Sequence, residues 1–290
     1  MGHHYNPQRL LRNFQDPTRP GFIWQHDKCR DDPVQAAISK VAQERDFYGA
    51  ETEELLNLAV EIPGGNAIDK ILGTQPLTLE DQIHLAIHIG TMLQRTPFHR
   101  QWTKEISKDI VPKAIEMVRE HGHTQIRLFA QANRRSEEWV NAWLTQMGQS
   151  IEKLDGKAPQ EAIERMNNPF PSETIVAVLL DLTWRIVESG GPQLFITSDN
   201  PAVYFRAEGY GLGGKETEVV MPISTTVALH GSRNRCHPNL TRVKASQQTV
   251  REFNKRMVRD ASRFVFTHDK APWLAKLLRR DDLGLMRIGW

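Results

Sequence analysis

An α+β fold, with a mainly helical N-terminal two-thirds and a small C-terminal antiparallel sheet, is what this 290-residue sequence predicts. Three observations carry that expectation. Up to about residue 189, apolar residues recur three and four apart, the period of a helix with one buried face. From Gly190 the stretches "PQLFITSDNPAVYFR", "TEVVMPISTTVALHGS" and "SRFVFTHD" turn β-branched and aromatic, with turn residues between the first two. No long polar linker separates the two regions, so residues 1–290 read as one compact domain. It is helical over about 31–190 and sheet-containing over about 191–290, with residues 1–30 packing against the sheet.

The elements follow in order. Pro7, Pro17, Pro20 and Gly21 keep residues 1–30 from forming a long helix, and "GFIWQHD" has the composition of a short strand. Val34, Ala37, Ile38, Val41 and Ala42 are spaced for a helix over 33–47, and "ETEELLNLAVEI" repeats the pattern up to Pro63-Gly64-Gly65. The clearest helix is "PLTLEDQIHLAIHIGTMLQRTP". Thr78 is its N-cap, Glu80 and Asp81 complement the dipole in its first turn, Leu79, Ile83, Ala86, Ile87, Gly90 and Leu93 form the apolar face, and Pro97 marks the stop. His84 and His88 fall on its polar flank. Further helices are expected at about 99–121, 136–152, 158–167 and 172–189, and a last long one at about 245–262 inside the strand-rich region.

Composition excludes several function classes. Hydrophobic residues make up 39% and charged residues 25%, a globular balance, and no apolar run approaches the length that spans a bilayer. The N-terminus lacks the apolar core of a signal peptide, so the expected location is cytoplasmic, with no membrane partner. Two cysteines, Cys29 and Cys236, fit a reducing compartment and exclude a four-cysteine zinc site. A net charge of +2 does not by itself call for nucleic acid, but basic residues cluster locally. Arg9, Arg12, Arg19, Lys28 and Arg30 lie near the start, and Arg251, Lys255, Arg256, Arg259, Arg263, Arg279 and Arg280 near the end. Tryptophans such as Trp24, Trp139, Trp143 and Trp184 fit either base stacking or core and interface packing, and Trp290 either a homo-oligomer contact or a docked tail.

Familiar catalytic motifs are missing. "HLAIH" places two histidines at i and i+4, but Leu85 stands where a zinc protease carries glutamate. "HGH" at 121–123 suits a helix end, and "GYGLGG" at 209–214 lacks the Lys-Ser/Thr ending of a phosphate loop and reads as a hairpin loop. In "LFITSDNPAV", Ser198, Asp199 and Asn200 end a strand before Pro201, where their side chains satisfy free backbone groups as a turn.

A wider pattern includes that turn. "HHYNPQRLLRNF" at 3–14 holds His4, Pro7, Gln8, Leu11, Arg12 and Phe14 in a His-x-x-Pro-Gln-x-x-Leu-Arg-x-Phe arrangement. It is followed by "AQERDFY" at 42–48, "QRTPFHR" at 94–100, "FITSDNPAV" at 195–203, "MPIS" at 221–224 and "RFVF" at 263–266. In these residues the sequence resembles the family catalogued as domain of unknown function 4238 over nearly its whole length, with Asn6 and Arg9 standing where more apolar residues are common. The resemblance supplies no activity; it directs attention to His4, Gln8, Arg12, Glu44, Arg95, Arg100, Ser198, Asp199 and Asn200.

The chemistry of that set defines the expectation. His4 transfers protons near neutral pH, Asp199 orients it or binds a metal, and Arg95 stabilises developing phosphate charge; these three are the catalytic candidates. Gln8, Arg12, Arg100, Ser198 and Asn200 are the substrate-binding candidates, and Glu44 with Asp199 the pair for a Mg²⁺ ion. The function so read is hydrolysis of phosphodiester bonds in nucleic acid or a nucleotide. Two alternatives use the same residues: non-catalytic binding of an anionic small molecule or nucleotide, and a protein-interaction module in which Arg12 and Arg95 pair with Glu44 and Asp199 to pin the N-terminal arm.

Overall fold

Strands come earlier than the helical spacing implies. A computed structural model describes the chain apart from residues 1, 46–49, 155–167, 206–211, 215, 234–237, 281–282, 284–287 and 289–290. Its first elements are β1 (Gly2–His4), α1 (Gln8–Arg12), β2 (Phe22–Asp27), β3 (Val34–Ala37) and β4 (Gln43–Arg45). Residues 33–47 are therefore not a helix. A 3₁₀ turn, Ile38–Lys40, joins β3 to β4, and Ala42 sits at φ 50°, a left-handed conformation that ends any helical path. The spacing of Ile38, Val41 and Ala42 that imitates a helix is met by burying all three through this kinked segment.

The helices follow. α2 (Ala50–Leu56) and α3 (Ile62–Leu72) are joined by a π-helical turn, Asn57–Glu61, and α4 spans Leu79–Gln94. Thr78 caps α4 reciprocally: its hydroxyl accepts the Asp81 N–H at 3.2 Å and its own N–H donates to Asp81 at 2.8 Å. After a break at Arg95 and Thr96, Pro97 opens α5 (Pro97–Ala132), which is followed by α6 (Glu137–Leu154) and α7 (Glu173–Asp181). His121 and His123 are exposed inside α5, not at its end, and the helix expected at 158–167 lies outside the described residues. The helix expected over 172–189 stops at Asp181. There the indole N–H of Trp184 donates to the Leu179 carbonyl at 2.9 Å, and β5 (Thr183–Ser189) begins.

The expectation of one small antiparallel C-terminal sheet is corrected. β6 (Thr197–Ser198), β7 (Val203–Phe205), β8 (Glu218–Pro222), β9 (Val227–Ser232), β10 (Thr241–Ala245) and β11 (Phe264–Thr267) belong with β5 to two different sheets. One has five strands in the order β10-β5-β9-β8-β7, with β10 parallel to β5 and the other pairs antiparallel. The other has four, in the order β3-β2-β11-β6, and draws two strands from the first 40 residues. β1 pairs separately with β4. The pairing of β2 with β11 joins residues more than 200 positions apart, and no local pattern records it.

The five-stranded sheet organises the core. Trp184, Ile186, Val219, Met221 and Leu229 face a cluster formed with α1, α3, α4 and α7, whereas Val187, Val220 and Ala228 face Phe253 and Met257 of α8 (Gln247–Asp260). With both faces covered, its central strands are almost wholly buried and lose the apolar-polar alternation of a half-exposed sheet. A short helix, α9 (Leu274–Leu278), packs its Leu274 in the same cluster as α8. The chain divides into two units: residues 1–98 with 169–290, which hold all the sheets, and residues 99–168, which hold most of α5 and all of α6.

Candidate functional site

The residues singled out in the sequence separate into two groups. His4, at the end of β1, lies within electrostatic reach of Glu61 and Arg95. Arg95 is 1% exposed and donates to both oxygens of Glu53 at 2.8 and 2.7 Å and to Glu61. Glu61 ends the π-helical turn; such an extra residue in a helix re-aims one side chain, here towards the buried guanidinium. Burial lowers the His4 imidazole below its ordinary value; Glu61 opposes that shift and Arg95 reinforces it. His88, expected on a polar flank, is buried in the same region, and desolvation lowers it to about 4. His88 packs over Gly64, where a Cβ would come within 2.4 Å of its own Cβ, so the close approach of α4 to α3 requires that glycine.

Ser198, Asp199 and Asn200 form the second group. Asp199 Oδ1 accepts the N–H of Ser262 at 2.8 Å, and Oδ2 accepts those of Arg263 and Phe264 at 2.7 and 2.8 Å. Burial pushes this carboxyl up, against the pull of the three N–H donors. Ser198 and Asn200 close a turn on each other: the Asn200 N–H donates to the Ser198 hydroxyl, which donates to the Asn200 carbonyl. Asn200 Nδ2 also holds the Asp260 carbonyl at the end of α8, at 3.2 Å. Asp199 thus organises the connection from α8 to β11.

The remaining candidates are scattered. Glu44 is exposed on β4, Arg12 is exposed on α1, and Gln8 is half-buried. Arg100 belongs to the second unit. Tyr5 lies near the second group: burial first, then Asp199 and Glu44, raise its phenol. Among the described residues no cluster of three or more His, Cys, Asp or Glu side chains is arranged to hold a metal, and no helix is long and apolar enough to cross a membrane.

Two residues that depart from the family pattern fasten the N-terminal arm. Asn6 is fully buried and donates to the Ser198 carbonyl at 3.0 Å. Arg9 reaches α3, bonding Asn66 at 2.9 Å and Asp69 at 2.5 Å, and passes so close to Gly65 that a Cβ there would lie 2.6 Å from its guanidinium.

Another polar centre is not signalled by any local motif. Glu218 on β8, His230 on β9 and Arg185 on β5 point to one face of the five-stranded sheet, and Arg256 of α8 packs onto them. Arg256 bonds Glu218 at 2.6 Å, and His230 Nε2 lies 3.9 Å from the same carboxylate oxygen. Burial pushes Glu218 up, but His230 and Arg256 prevail and hold it at about 2. His230 is lowered, chiefly by burial.

The C-terminal basic cluster resolves by geometry. Arg256 is committed to Glu218, Arg259 to Asp260, Arg263 to Asp27 and Arg279 to Asp31. Arg251 and Lys255 instead line an open cleft of about 770 Å³ with Lys276, Arg280, Trp273 and Leu277. Helical spacing builds it: Gln247, Arg251 and Lys255 recur every four residues along α8, and Trp273, Lys276 and Arg280 lie along one side of the segment containing α9. Gln193 steadies Arg251 through Nε at 3.0 Å, and Glu252 pairs with Lys255 at 2.8 Å. Among the described residues the side chains of Lys276 and Arg280 have no partner. Trp273 is 43% exposed, a large indole left open to solvent.

Fold and site together define an α+β protein whose N-terminal arm closes over a buried ion network and whose C-terminal helices frame a basic cleft. The chain belongs to the family described as a protein of unknown function (DUF4238), whose model matches residues 2–271. Neither the curated proteins nor the solved structures contain a match to it.

Proposed function

We propose that this protein binds a nucleotide in the cleft between α8 and α9. The observation that carries the reading is the convergence of Arg251, Lys255, Lys276 and Arg280 around the exposed indole of Trp273. A cleft of about 770 Å³ lies within the range of small-molecule sites, roughly 300–1,000 Å³. An apolar floor of Trp273 and Leu277 with a cationic rim suits a ligand that has one flat, apolar end and one anionic end. Lysine and arginine stems add to that floor while their charged heads remain at the rim. Two cysteines in 290 residues fit the cytoplasm, where such ligands abound.

Binding is favoured over cleavage at this cleft because its described lining holds no histidine, carboxylate or hydroxyl to move a proton. Phosphodiester hydrolysis at His4 would need Arg95 and Asp199 to release Glu53, Glu61 and three backbone N–H groups in order to meet a phosphate. The test is calorimetric titration of the full chain with adenosine and guanosine mono- and triphosphates, inorganic phosphate and a short oligothymidylate, followed by product analysis. Saturable nucleotide binding is expected, weakened at least tenfold in Arg251→Glu/Lys276→Glu and in Trp273→Ala, with intact nucleotide recovered. Affinity unchanged in both variants would refute the assignment. A cleaved product would assign hydrolysis instead, and preference for the oligothymidylate would make the ligand a single strand.

A further inference from the structure

We infer that the tip of the α5–α6 hairpin is a self-association surface that pairs two copies of this chain about a two-fold axis. The tip carries a ladder of aromatic rings. Phe129 of α5 stacks on Trp139 of α6 with ring centroids 6.0 Å apart, and Trp139 meets Trp143 at another 6.0 Å. Arg135, in the turn between the helices, lies 5.6 Å over the Trp139 ring. This ladder is not a core. Leu128, Phe129 and Trp143 remain about half exposed, as does Met117, which lies three turns back along α5 on the side of Leu128. In the described part of the 99–168 unit, only Ala130 and Val140 are buried apolar residues.

Area and charge identify the occupant. Phe129 and Trp143, aromatic side chains that offer about 150–250 Å² each when bare, are half exposed and leave about 200 Å² of apolar surface per copy at the tip, to which Leu128 adds. Two copies would bury about 400 Å² from these rings alone, so an interface of roughly 1,200–2,000 Å² would take the rest from Leu128 and the exposed charged residues around them. Their order is self-complementary. Arg134 and Arg135 precede Ser136, and Glu137 and Glu138 follow it, all exposed. A two-fold axis near Ser136 lays the arginines of one copy over the glutamates of the other, the isologous arrangement in which each contact occurs twice. The same glutamates would face an anionic lipid surface with like charge, so a second copy fits this patch better than a membrane. Arg127 and Glu137 are 3.6 Å apart and largely exposed, a weak pair that leaves Glu137 available to the partner copy.

The experiment is sedimentation velocity of the full chain over a concentration series, at low and high salt, with circular dichroism to verify folding. Wild type is expected to form a dimer that weakens with salt, and Trp143→Glu is expected to remain monomeric with unchanged helicity. Glu137→Arg/Glu138→Arg and Arg134→Glu/Arg135→Glu are each expected to be monomeric alone, because each then carries one sign of charge on both sides of the axis. Mixed together, the two variants are expected to recover a heterodimer. A wild type that remains monomeric at every concentration overturns the inference, as does either charge-reversed variant dimerising as well as wild type. A monomer that co-sediments with anionic vesicles would assign the patch to lipid instead.

Discussion

Replacing Arg95 with methionine separates a structural role from a ligand-binding one. The substitution keeps the length of the side chain, removes its charge, and leaves Glu53 and Glu61 facing each other without their shared cation. Removing one member of a buried ion pair costs about 3–5 kcal/mol. Here the carboxylates are 20% and 23% exposed, so water partly replaces the guanidinium and the expected loss is at the lower end, about 3 kcal/mol. For a chain of this size that corresponds to a fall in melting temperature of about 6–12 °C. Neutralising the carboxylates as well, in Arg95→Met/Glu53→Gln/Glu61→Gln, should return the protein to within about 1 kcal/mol of wild type, because the cost lies in two carboxylates that have lost the guanidinium between them. Urea unfolding followed by circular dichroism, with calorimetry for the melting temperature, measures both differences. A loss under about 1 kcal/mol in the single variant, or no recovery in the triple one, would refute the network argument. If the single variant is stable yet loses affinity for nucleotide, Arg95 touches ligand and the buried network is the binding site.

Two other outcomes follow from the buried titratable groups. His26 and His88 are both lowered to about 4 by burial and are neutral in the folded chain, whereas unfolded histidine takes up a proton near 6.5. The unfolded state therefore binds more protons between about pH 6.5 and 4, and stability must fall as pH drops through that window, by on the order of 3 kcal/mol per histidine. Chemical denaturation at a series of pH values should show this slope reduced in His88→Leu, and an unchanged slope would contradict the burial argument. Glu218→Gln should destabilise by about 3–5 kcal/mol by removing the carboxylate that the fully buried Arg256 bonds, and Glu218→Leu/Arg256→Leu should recover most of that in the same assay.

What was legible in the sequence depended on whether the cause was local. The Thr78 cap of α4 and the existence of α8 rest on single segments and are readable there. The face read as apolar in α4, Leu79, Ile83, Ala86, Ile87, Gly90 and Leu93, is not the buried one: Leu79 and Ile83 are exposed, and Leu85, Ala86, His88, Ile89 and Met92 face the core, because the neighbours of α4 decide which side is covered. β5 has the sequence pattern of a helix because burial on both faces makes "TWRIVES" an unbroken run that continues the apolar pattern of α7. The two-sheet arrangement was out of reach because β2 finds its partner 240 residues later, at β11. Site chemistry divided in the same way. The turn at Ser198 to Asn200 was visible as turn chemistry, but the destination of Asp199, three N–H groups of residues 262–264, is a tertiary fact. Arginine counts near the C-terminus revealed basicity without showing which residues were neutralised; only the fold separates Arg256, Arg259, Arg263 and Arg279 from the cations of the cleft.

The central place of β2 in its sheet also sets an order of events on the ribosome. β2 and β3 emerge within the first 40 residues and can form their hairpin at once, yet the opposite edge of β2 has no neighbour until residues 264–267 are made. At roughly 5–20 residues per second, that edge stays open for about 10–50 seconds of translation. During that time an adjacent nascent chain on the same message presents an identical strand at close range. Asp27 at the end of β2 and the run that follows it, with Lys28, Arg30, Asp31 and Asp32, put charge of both signs beside the open edge for that interval, where it discourages pairing between neighbouring chains.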